Sequence, residues 1–438
     1  MINQYMYFFR ISLKLDSVLS ISGGGDDEYN LVKNGEGRYI IPSTGIAGAI
    51  KNYINSDCPE ECVKMFGDIG HHSIVTYYDA VCENVNIETR KGICIDDRYG
   101  VAENRKLFTR YYIGQGMECE LKIQCNIDDK NRENIIRTIK QIAGAIKLGR
   151  IRFGSKKTDG AGVFSVKDIS YMVLDMANDK ERKYYIETDI LSIFKVCEDK
   201  LSCDDIKISN WRSYVLEAKI PNGLLVKSGE RENGASVNMS KEIDGNAECY
   251  IPASTIKGII RSYSEMIAKY MNISNDCLVQ IFGNDNTEKT NMKASTVYVD
   301  DCILRNTVTT RYNRIKVDRW LGSTISGAKT VDEVVSTNGE DVVSLRVSID
   351  RSRYAESDEI LWKYANAFVF LALRDLGLGK VSIGSGNAVG YGRLEGVNLR
   401  INDKVCPIDY KNKKVDASSY ETELVDILNS LEVSYENK

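Results

Sequence analysis

The sequence predicts an α+β protein built from two copies of one domain, because the same series of short segments occurs twice along its 438 residues. The stretch IPSTGIAGAIKNYI at Ile41–Ile54 is matched by IPASTIKGIIRSYS at Ile251–Ser264. Further matches follow in one order and at nearly constant spacing. They pair Leu19–Gly23 with Leu225–Gly229, Phe66–Gly67 with Phe282–Gly283, Val75–Ala80 with Val297–Cys302, Thr89–Gly100 with Thr310–Gly322, and Leu148–Phe164 with Leu378–Gly392. The shared order indicates a duplicated domain.

Hydrophobic periodicity gives each copy the order strand, helix, strand, strand, helix, strand. Pro42 ends an extended segment, and Ser43 or Thr44 then serves as the N-cap of the first helix. The first copy is predicted to contain strands at Tyr5–Leu13, Ile74–Cys82, Glu118–Cys125 and Val163–Val166, and helices at Thr44–Asn55 and Asn131–Leu148. The second copy repeats this from Trp211, with a long helix at Glu359–Leu376. The βαββαβ order predicts two tandem ferredoxin-like, RRM-like domains.

The repeat sets the expected domain limits. We predict a first domain at residues 1–167, a connecting segment at 168–210, a second domain at 211–400 and a C-terminal tail at 401–438. The hydrophobic fraction of 43% and charged fraction of 27% are typical of a soluble globular protein, and no apolar run has the length of a membrane span. Twelve cysteines without a secretory signal indicate reduced thiols, so we expect a cytoplasmic protein.

Charge is concentrated in short segments, although the net charge of −4 does not favour nucleic-acid binding. Lys147–Lys157 and Arg305–Arg319 each carry five basic residues. The glycine-rich turns Gly149–Gly162 and Gly379–Gly392, which we call the first and second glycine loops, are able to approach phosphate closely and to present N–H groups to it. Each element alone is equally consistent with an ordinary turn or a solvated surface. Together they predict an RNA-binding face.

The predicted RNA contacts come from helix starts, glycine loops and basic hairpins with aromatic residues. They are Ser43, Thr44, Lys51, Arg90, Arg98, Tyr99, Arg150, Arg152, Lys156, Ser254, Thr255, Lys257, Arg261, Arg311, Arg314, Arg319, Trp320 and Lys380.

An acidic loop distinguishes the first copy. Ser20–Asn30 reads SISGGGDDEYN, in which glycines precede Asp26 and Asp27. Such a loop is either a solvated turn or a carboxylate site that helps to cleave RNA, by binding a divalent ion or orienting the ribose 2′-hydroxyl. In the second copy Val237 stands where Asp27 would, counting back from the proline.

Other catalytic patterns are weak. Cys58, Cys62, His71 and His72 resemble a zinc site, but adjacent histidines seldom bind one metal, and a buried thiol explains Cys62 equally well. Two histidines in the whole chain argue against histidine-based catalysis, and the sequence has no Walker-type loop.

These segments resemble the RAMP superfamily of CRISPR effector proteins, specifically the backbone subunits of type III complexes. The resemblance rests on the helix starts at Ile41–Lys51 and Ile251–Arg261, the Phe-Gly pairs, the strand ends, the TR…ID hairpins and the glycine loops. It implies two RAMP domains with thumb-like β-hairpin insertions that wedge between base pairs of guide and target. It also implies guide RNA (crRNA), target RNA and other type III subunits as partners, with no membrane.

The resemblance further implies that a loop aspartate cuts target RNA with a divalent metal, for which Mg²⁺ is the expected ion. Asp27 has the expected spacing to Pro42 and is the predicted catalytic residue and metal ligand, with Asp26 as its neighbour. The alternative is a non-catalytic, structural guide-RNA-binding subunit. A guide-processing endonuclease is less favoured because that branch relies on histidine, and a duplicated metabolic enzyme would need a cofactor signature that the sequence lacks.

Overall fold

The computed structural model describes most of the chain. The described residues are 4–22, 29, 31–57, 59–67, 72–96, 101–128, 132–202, 210–232, 234–243, 245–284, 293–420 and 425–431. They form two compact units. The first comprises Met1–Gly92, Leu107–Lys157 and Ala161–Asn210, and the second comprises Ile93–Lys106, Thr158–Gly160 and Trp211–Lys438.

The first unit is a sheet covered by helices. Up to residue 210 the strands are β1 Tyr5–Leu15, β2 Ile40–Ile41, β3 Val75–Tyr77, β4 Ala80–Val81, β5 Ile87–Asp96, β6 Val101–Ile113, β7 Glu118–Ile127, β8 Phe164–Asp175 and β9 Asp199–Lys200. The helices are α1 Ser43–Asp57, α2 Pro59–Phe66, α3 Arg132–Lys147, α4 Asp179–Glu187 and α5 Ile190–Lys195. The main sheet has the strand order β3-β7-β1-β8-β9.

The central strand β1 is buried on both faces, which explains its run of aromatic residues. Tyr7 and Phe9 point into the main core with the helices, while Phe8 lies in a second cluster with Phe194 of α5. Neighbouring strand residues point to opposite faces, so three consecutive buried rings require a cover on each side. The main core therefore lies under α1 and α3, and the α5 segment covers the other face.

The second unit repeats the arrangement with additional strands. Its strands are β10 Trp211–Lys219, β11 Lys227–Glu232, β12 Ala235–Asn238, β13 Ser240–Ile243, β14 Asn246–Ile251, β15 Val297–Val299, β16 Cys302–Leu304, β17 Thr307–Arg314, β18 Thr330–Thr337, β19 Val343–Asp350, β20 Glu395–Ile401, β21 Lys404–Asp409 and β22 Lys414–Val415. The helices are α6 Ala253–Tyr270, α7 Asn275–Phe282 and α8 Glu359–Gly377. The main sheet has the order β15-β19-β10-β20-β21-β22, with antiparallel neighbours throughout.

Two segments carry more structure than their sequences suggested. The stretch predicted as a connection at 168–210 contains most of β8, then α4, α5 and β9. The predicted polar tail at 401–438 contains β21 and β22, which extend the second sheet, and residues 425–431 are helical. Within the described part of the chain, no helix combines the length and apolar character needed to cross a membrane.

Candidate nucleic-acid interface

Both predicted helix starts already hold a carboxylate. The Ser43 N–H donates to Asp79 Oδ1 at 2.7 Å, and the Ala253 N–H donates to Asp301 Oδ1 at 2.8 Å. Both aspartates lie within the matched landmarks Val75–Ala80 and Val297–Cys302. A negative group at a helix N-terminus is favourable, but it repels phosphate from the same position. The geometry therefore argues against the helix-start N–H groups as phosphate sites, although the side chains of Thr44 and Ser254 are exposed.

The second helix start has a further partner. Lys241 Nζ lies 3.7 Å from Asp301 Oδ2, and both side chains are about 5% exposed or less. The sequence interpretation missed these aspartates, although they stood in the matched landmarks. The repeated aspartate was the signal that could have identified them.

The two glycine loops share one backbone conformation. Positive φ angles occur at five matched positions, and the spacing between partners is the same for every pair. The pairs are Gly149 and Gly379, Gly154 and Gly384, Lys156 and Gly386, Gly160 and Gly390, and Gly162 and Gly392. A Cβ at Gly162 would lie 2.0 Å from Phe153 O, and one at Gly392 would lie 1.9 Å from Ile383 O. These two positions therefore accept only glycine.

Several loop amides are used within the fold. In the first loop the bonds run from Phe153 N–H to Gly162 O, from Ser155 N–H to Ser20 O and from Gly162 N–H to Val18 O. The matching bonds of the second loop run from Ile383 N–H to Gly392 O, from Ser385 N–H to Leu225 O and from Gly392 N–H to Gly223 O. All six measure 2.7–3.2 Å. These donors cannot also bind phosphate. The bonds also show that Ser20 is equivalent to Leu225, one position away from the correspondence that the sequence suggested.

Arg152 is a correction to the predicted RNA contacts. Its side chain is buried at 5% exposure, and its Nε and Nη1 donate to Gly149 O at 3.0 Å and Lys157 O at 2.9 Å. A buried guanidinium requires such partners. Arg152 therefore holds the first glycine loop together instead of facing a ligand.

Most other predicted cations have partners within the chain. Lys257 is half-buried and donates to Asp159 at 2.9 Å, and Arg261 pairs with Glu265 at 2.9 Å. Arg311 lies 3.4 Å from Glu333, and Lys380 lies 3.6 Å from Asp375. The remaining predicted contacts are placed as follows: Thr255 and Arg150 are half-buried, Arg90 is mostly buried beside Glu88, Lys51 is exposed near the Phe66 ring, and Lys156 and Arg319 are exposed.

The second hairpin, β17 and β18 with residues 315–329 between them, has an apolar exposed tip. Trp320 is 97% exposed and Leu321 is 79% exposed. The tip is ordered by backbone bonds, from Asp318 N–H to Ser323 O at 2.8 Å and from Ile325 N–H to Lys316 O at 2.9 Å. Trp320 is thus displayed on a defined turn, outside the core.

Asp318 shapes that turn. Its Oδ1 accepts the backbone N–H groups of Trp320 at 2.8 Å and Leu321 at 3.0 Å. These two hydrogen bonds lower the pKa of Asp318 below its ordinary value, and the bond from Leu321 has the larger effect. Because the folded-state pKa is depressed, the contribution of Asp318 to the turn persists at neutral pH and is lost only as the pH falls through that lowered value.

Some predicted residues lie outside the described part of the chain. These are the proposed catalytic residues Asp26 and Asp27, the hairpin residues Arg98 and Tyr99, and Cys58 and His71 of the zinc pattern. Cys62 is buried, and burial raises the pKa of its thiol. Within the described residues, no group of three or more histidine, cysteine, aspartate or glutamate side chains is arranged to hold a metal.

The acidic loop has described ends. Ser22 and Leu31 pair across its base, and the Val32 N–H donates to Ile21 O at 3.0 Å. In the second unit the matching segment is the hairpin β11–β12, and Val237 lies on β12. Asn238 fixes this hairpin, because its side chain accepts from Val226 N–H and donates to Leu224 O and Glu333 O. The second unit therefore has paired strands at this position.

Comparison with known proteins identifies the family. The model of the RAMP superfamily matches residues 13–165 and 217–395, well over half of the chain. The chain belongs to the RAMP superfamily, which confirms the predicted family. It contains mixed helix and sheet in two RAMP regions.

Individual relatives are distant. Among curated proteins, none matches this sequence. A solved structure described as "Cryo-EM structure of the Type III-B Cmr-beta bound to cognate target RNA" is similar over 39% of this chain and 61% of that chain, at 14% identity and a TM-score of 0.32. The similarity thus spans less than two thirds of the length of the matched chain.

Proposed function

We propose that this chain is a backbone subunit of a type III CRISPR RNA-guided effector complex and that both units bind guide RNA. Membership of the RAMP superfamily supports this proposal. The observation that carries it is the exposure of Trp320 at the tip of a basic hairpin. Trp320 and the adjacent Leu321 form an exposed apolar surface at the hairpin tip, and RNA bases stack on exposed aromatic rings. Target RNA and neighbouring type III subunits are the further partners, and the cytoplasm is the proposed compartment.

Each unit is proposed to be a ferredoxin-like domain with a thumb-like hairpin. The strand orders β3-β7-β1-β8 and β15-β19-β10-β20 support this, because the first and fourth strands of each βαββαβ unit are adjacent and the third lies beside the first. The hairpins β5–β6 and β17–β18 are inserted between the second and third of these strands.

Cleavage of target RNA is assigned to the acidic loop of the first unit. Asp27, or its neighbour Asp26, would act on the 2′-hydroxyl or the scissile phosphate. The Ser22–Leu31 pair supports this assignment, because it fixes the two ends of the segment that carries both aspartates. The second unit is proposed not to cleave, because Val237 on β12 offers no carboxylate.

A divalent ion, with Mg²⁺ as the expected one, is part of this hypothesis on sequence grounds alone. Bound near a phosphate, such an ion would stabilise the developing negative charge. Its proposed ligand Asp27 lies outside the described residues, and no donor set for the ion is formed among the residues that the structure describes.

Salt-dependent RNA binding tests the first part of the proposal. The full-length chain should bind single-stranded RNA without sequence preference, and its affinity should fall steeply with salt because bound phosphates release counterions. Trp320→Ala should weaken binding by about tenfold, as the loss of one stacked base costs about 1–3 kcal/mol.

A matched control is available within the second unit. Tyr270 on α6 is 78% exposed and serves as the aromatic control for Trp320→Ala. If Tyr270→Ala weakens binding as much as Trp320→Ala, or if binding is insensitive to salt, the interface is misassigned.

Cleavage is tested in an assembled guide–target complex. Asp27→Ala should remove the cut made by this subunit while leaving guide and target binding unchanged, with Asp26→Ala as the neighbouring comparison. Cleavage at the wild-type rate by both variants, or cleavage that survives a chelator of divalent ions, would favour the structural-subunit alternative.

A further inference from the structure

In each unit one tyrosine ring fills a small apolar slot between the root of the hairpin and the glycine loop. In the first unit Tyr112, at the end of β6, packs with Val18 and Ala161 and is 7% exposed. In the second unit Tyr391, in the glycine loop, packs with Val334 of β18 and is 3% exposed. Both slots are therefore closed to solvent.

Backbone hydrogen bonds show that the slots are equivalent. Leu19 and Ile113 exchange two bonds at 2.8–2.9 Å, and Leu224 and Val335 exchange two at 2.8–3.0 Å. The residues just before these two hairpin positions are Tyr112 and Val334, which are thus equivalent. In the glycine loops, the constant spacing of the positive φ angles makes Ala161 equivalent to Tyr391.

Large and small residues have exchanged places between the units. The first unit has tyrosine on the hairpin and alanine on the loop, whereas the second has valine on the hairpin and tyrosine on the loop. The third residue that lines the slot also differs, since Val18 of the first unit corresponds to Gly223 of the second. A Cβ at Gly223 would lie 2.6 Å from Val334 Cγ2, so the glycine makes room for the second arrangement.

An arginine from the first strand of the hairpin lies over the ring in both units. Arg90 Cζ is 5.5 Å from the centroid of the Tyr112 ring, and Arg314 Cζ is 4.4 Å from that of Tyr391. Carboxylates hold each guanidinium, since Arg90 donates to Glu88 at 2.8 Å and Arg314 lies 3.6 Å from Asp332. Both arginines were predicted as RNA contacts, and the structure gives them partners inside the unit as well.

We propose that this arginine–tyrosine stack is a positioning device that fixes each hairpin against its glycine loop. The ring belongs to the hairpin in one unit and to the loop in the other, so the contact is common to both units while the residue that makes it differs. The stack keeps the hairpin and the glycine loop in one relative orientation. RNA therefore binds to two elements whose orientation is already fixed. The expected effect on RNA binding rests on the proposed function, whereas the coupling of hairpin and loop does not depend on RNA.

The test uses the full-length chain and the variant Tyr391→Ala. Losing the ring removes its packing and the cation–π contact, so hydrogen exchange should accelerate about tenfold both at β17–β18 and at the loop amides of Ser385 and Gly392. Exchange in α8 should stay unchanged. Affinity for single-stranded RNA should fall by a similar factor, because ordering the two elements then opposes binding.

A double variant distinguishes a positioning role of the ring from a mere loss of packed volume in the slot. Val334→Tyr combined with Tyr391→Ala recreates the arrangement of the first unit and should restore both exchange rates and RNA affinity to within about threefold of wild type. Tyr364→Ala, which removes a buried ring on α8 away from the slot, is the control and should not accelerate exchange selectively at the hairpin and loop.

Three outcomes would overturn the inference. These are unchanged exchange in Tyr391→Ala, acceleration spread evenly over the unit, and a double variant no better than the single one. A wild-type chain that binds no RNA would instead refute the proposed function, while the exchange measurements would still decide the role of the stack.

Discussion

The two units share backbone geometry while different side chains hold it in place. The first glycine loop is held from within by Arg152, which donates to two loop carbonyls. In the second loop Ser382 occupies that position, and Lys413, between β21 and β22, donates instead to Leu378 O, just before the loop, at 2.8 Å. The matched positive φ angles are retained in both loops. Duplication therefore preserves the path of the chain, and the bracing side chains are free to change.

The helix starts of the two units also share a backbone arrangement, although the side chains around them differ. Removing their aspartates gives the largest expected difference in stability. Asp301→Ala should destabilise the second unit by about 3–5 kcal/mol, because it leaves Lys241 charged, buried and without its carboxylate. Asp79→Ala should cost only about 1–2 kcal/mol, since it removes one hydrogen bond at an exposed helix start. Native-state hydrogen exchange measures the stability of each unit separately.

A double variant sharpens this comparison. Asp301→Asn with Lys241→Met removes the buried lysine charge together with the carboxylate and should lose much less stability than Asp301→Ala. Equal losses for Asp79→Ala and Asp301→Ala would show that the buried lysine has no special dependence on its aspartate.

The second prediction concerns the braces of the glycine loops. Arg152→Met should destabilise the first unit by about 2–4 kcal/mol, because two loop carbonyls lose a charged donor, one of them buried. Ser382→Ala, at the equivalent position, should change stability by less than about 0.5 kcal/mol. Both are measured by hydrogen exchange at the loop amides, and a reversed order would contradict the assignment of Arg152 as a brace.

Sequence periodicity predicted the main elements because each depends on local pattern. The helices expected at Thr44–Asn55 and Glu359–Leu376 are observed at Ser43–Asp57 and Glu359–Gly377. The strand expected at Val163–Val166 runs from Phe164 to Asp175, since its later residues pair with β1 and are covered by α5. That extension depends on partners distant in sequence.

The side chains of the candidate interface were harder to predict. Trp320 is exposed, and its role in binding RNA stays a prediction. The partners of Arg152 and Arg314 within the chain could not be predicted, because a basic residue near a glycine turn has the same sequence pattern whether it binds phosphate or groups of its own fold. Their partners become visible only when the loop and the hairpin root are brought together.

A smaller effect is expected at the one matched left-handed position where the first loop has a residue other than glycine. Lys156 has a φ of 55°, whereas its counterpart Gly386 has 79°. A non-glycine residue in this region costs about 1–2 kcal/mol, part of which is offset because glycine is more flexible in the unfolded chain. Lys156→Gly should therefore raise the stability of the first unit by about 0.5–1 kcal/mol. If exposed Lys156 contacts RNA, the same variant should weaken binding and reduce the salt slope by about 0.7–0.9.

The reciprocal change shows why the second loop keeps glycine. A Cβ at Gly386 would lie 2.5 Å from Tyr391 Cδ2, whereas the position equivalent to Tyr391 in the first unit is Ala161, which leaves room for Lys156. Gly386→Ala should destabilise the second unit by about 2–3 kcal/mol, through strain and this clash together. In a Tyr391→Ala background the added cost of Gly386→Ala should fall to about 1 kcal/mol, the strain alone. Equal costs in both backgrounds, measured by hydrogen exchange at Gly392, would mean that the ring does not dictate the glycine.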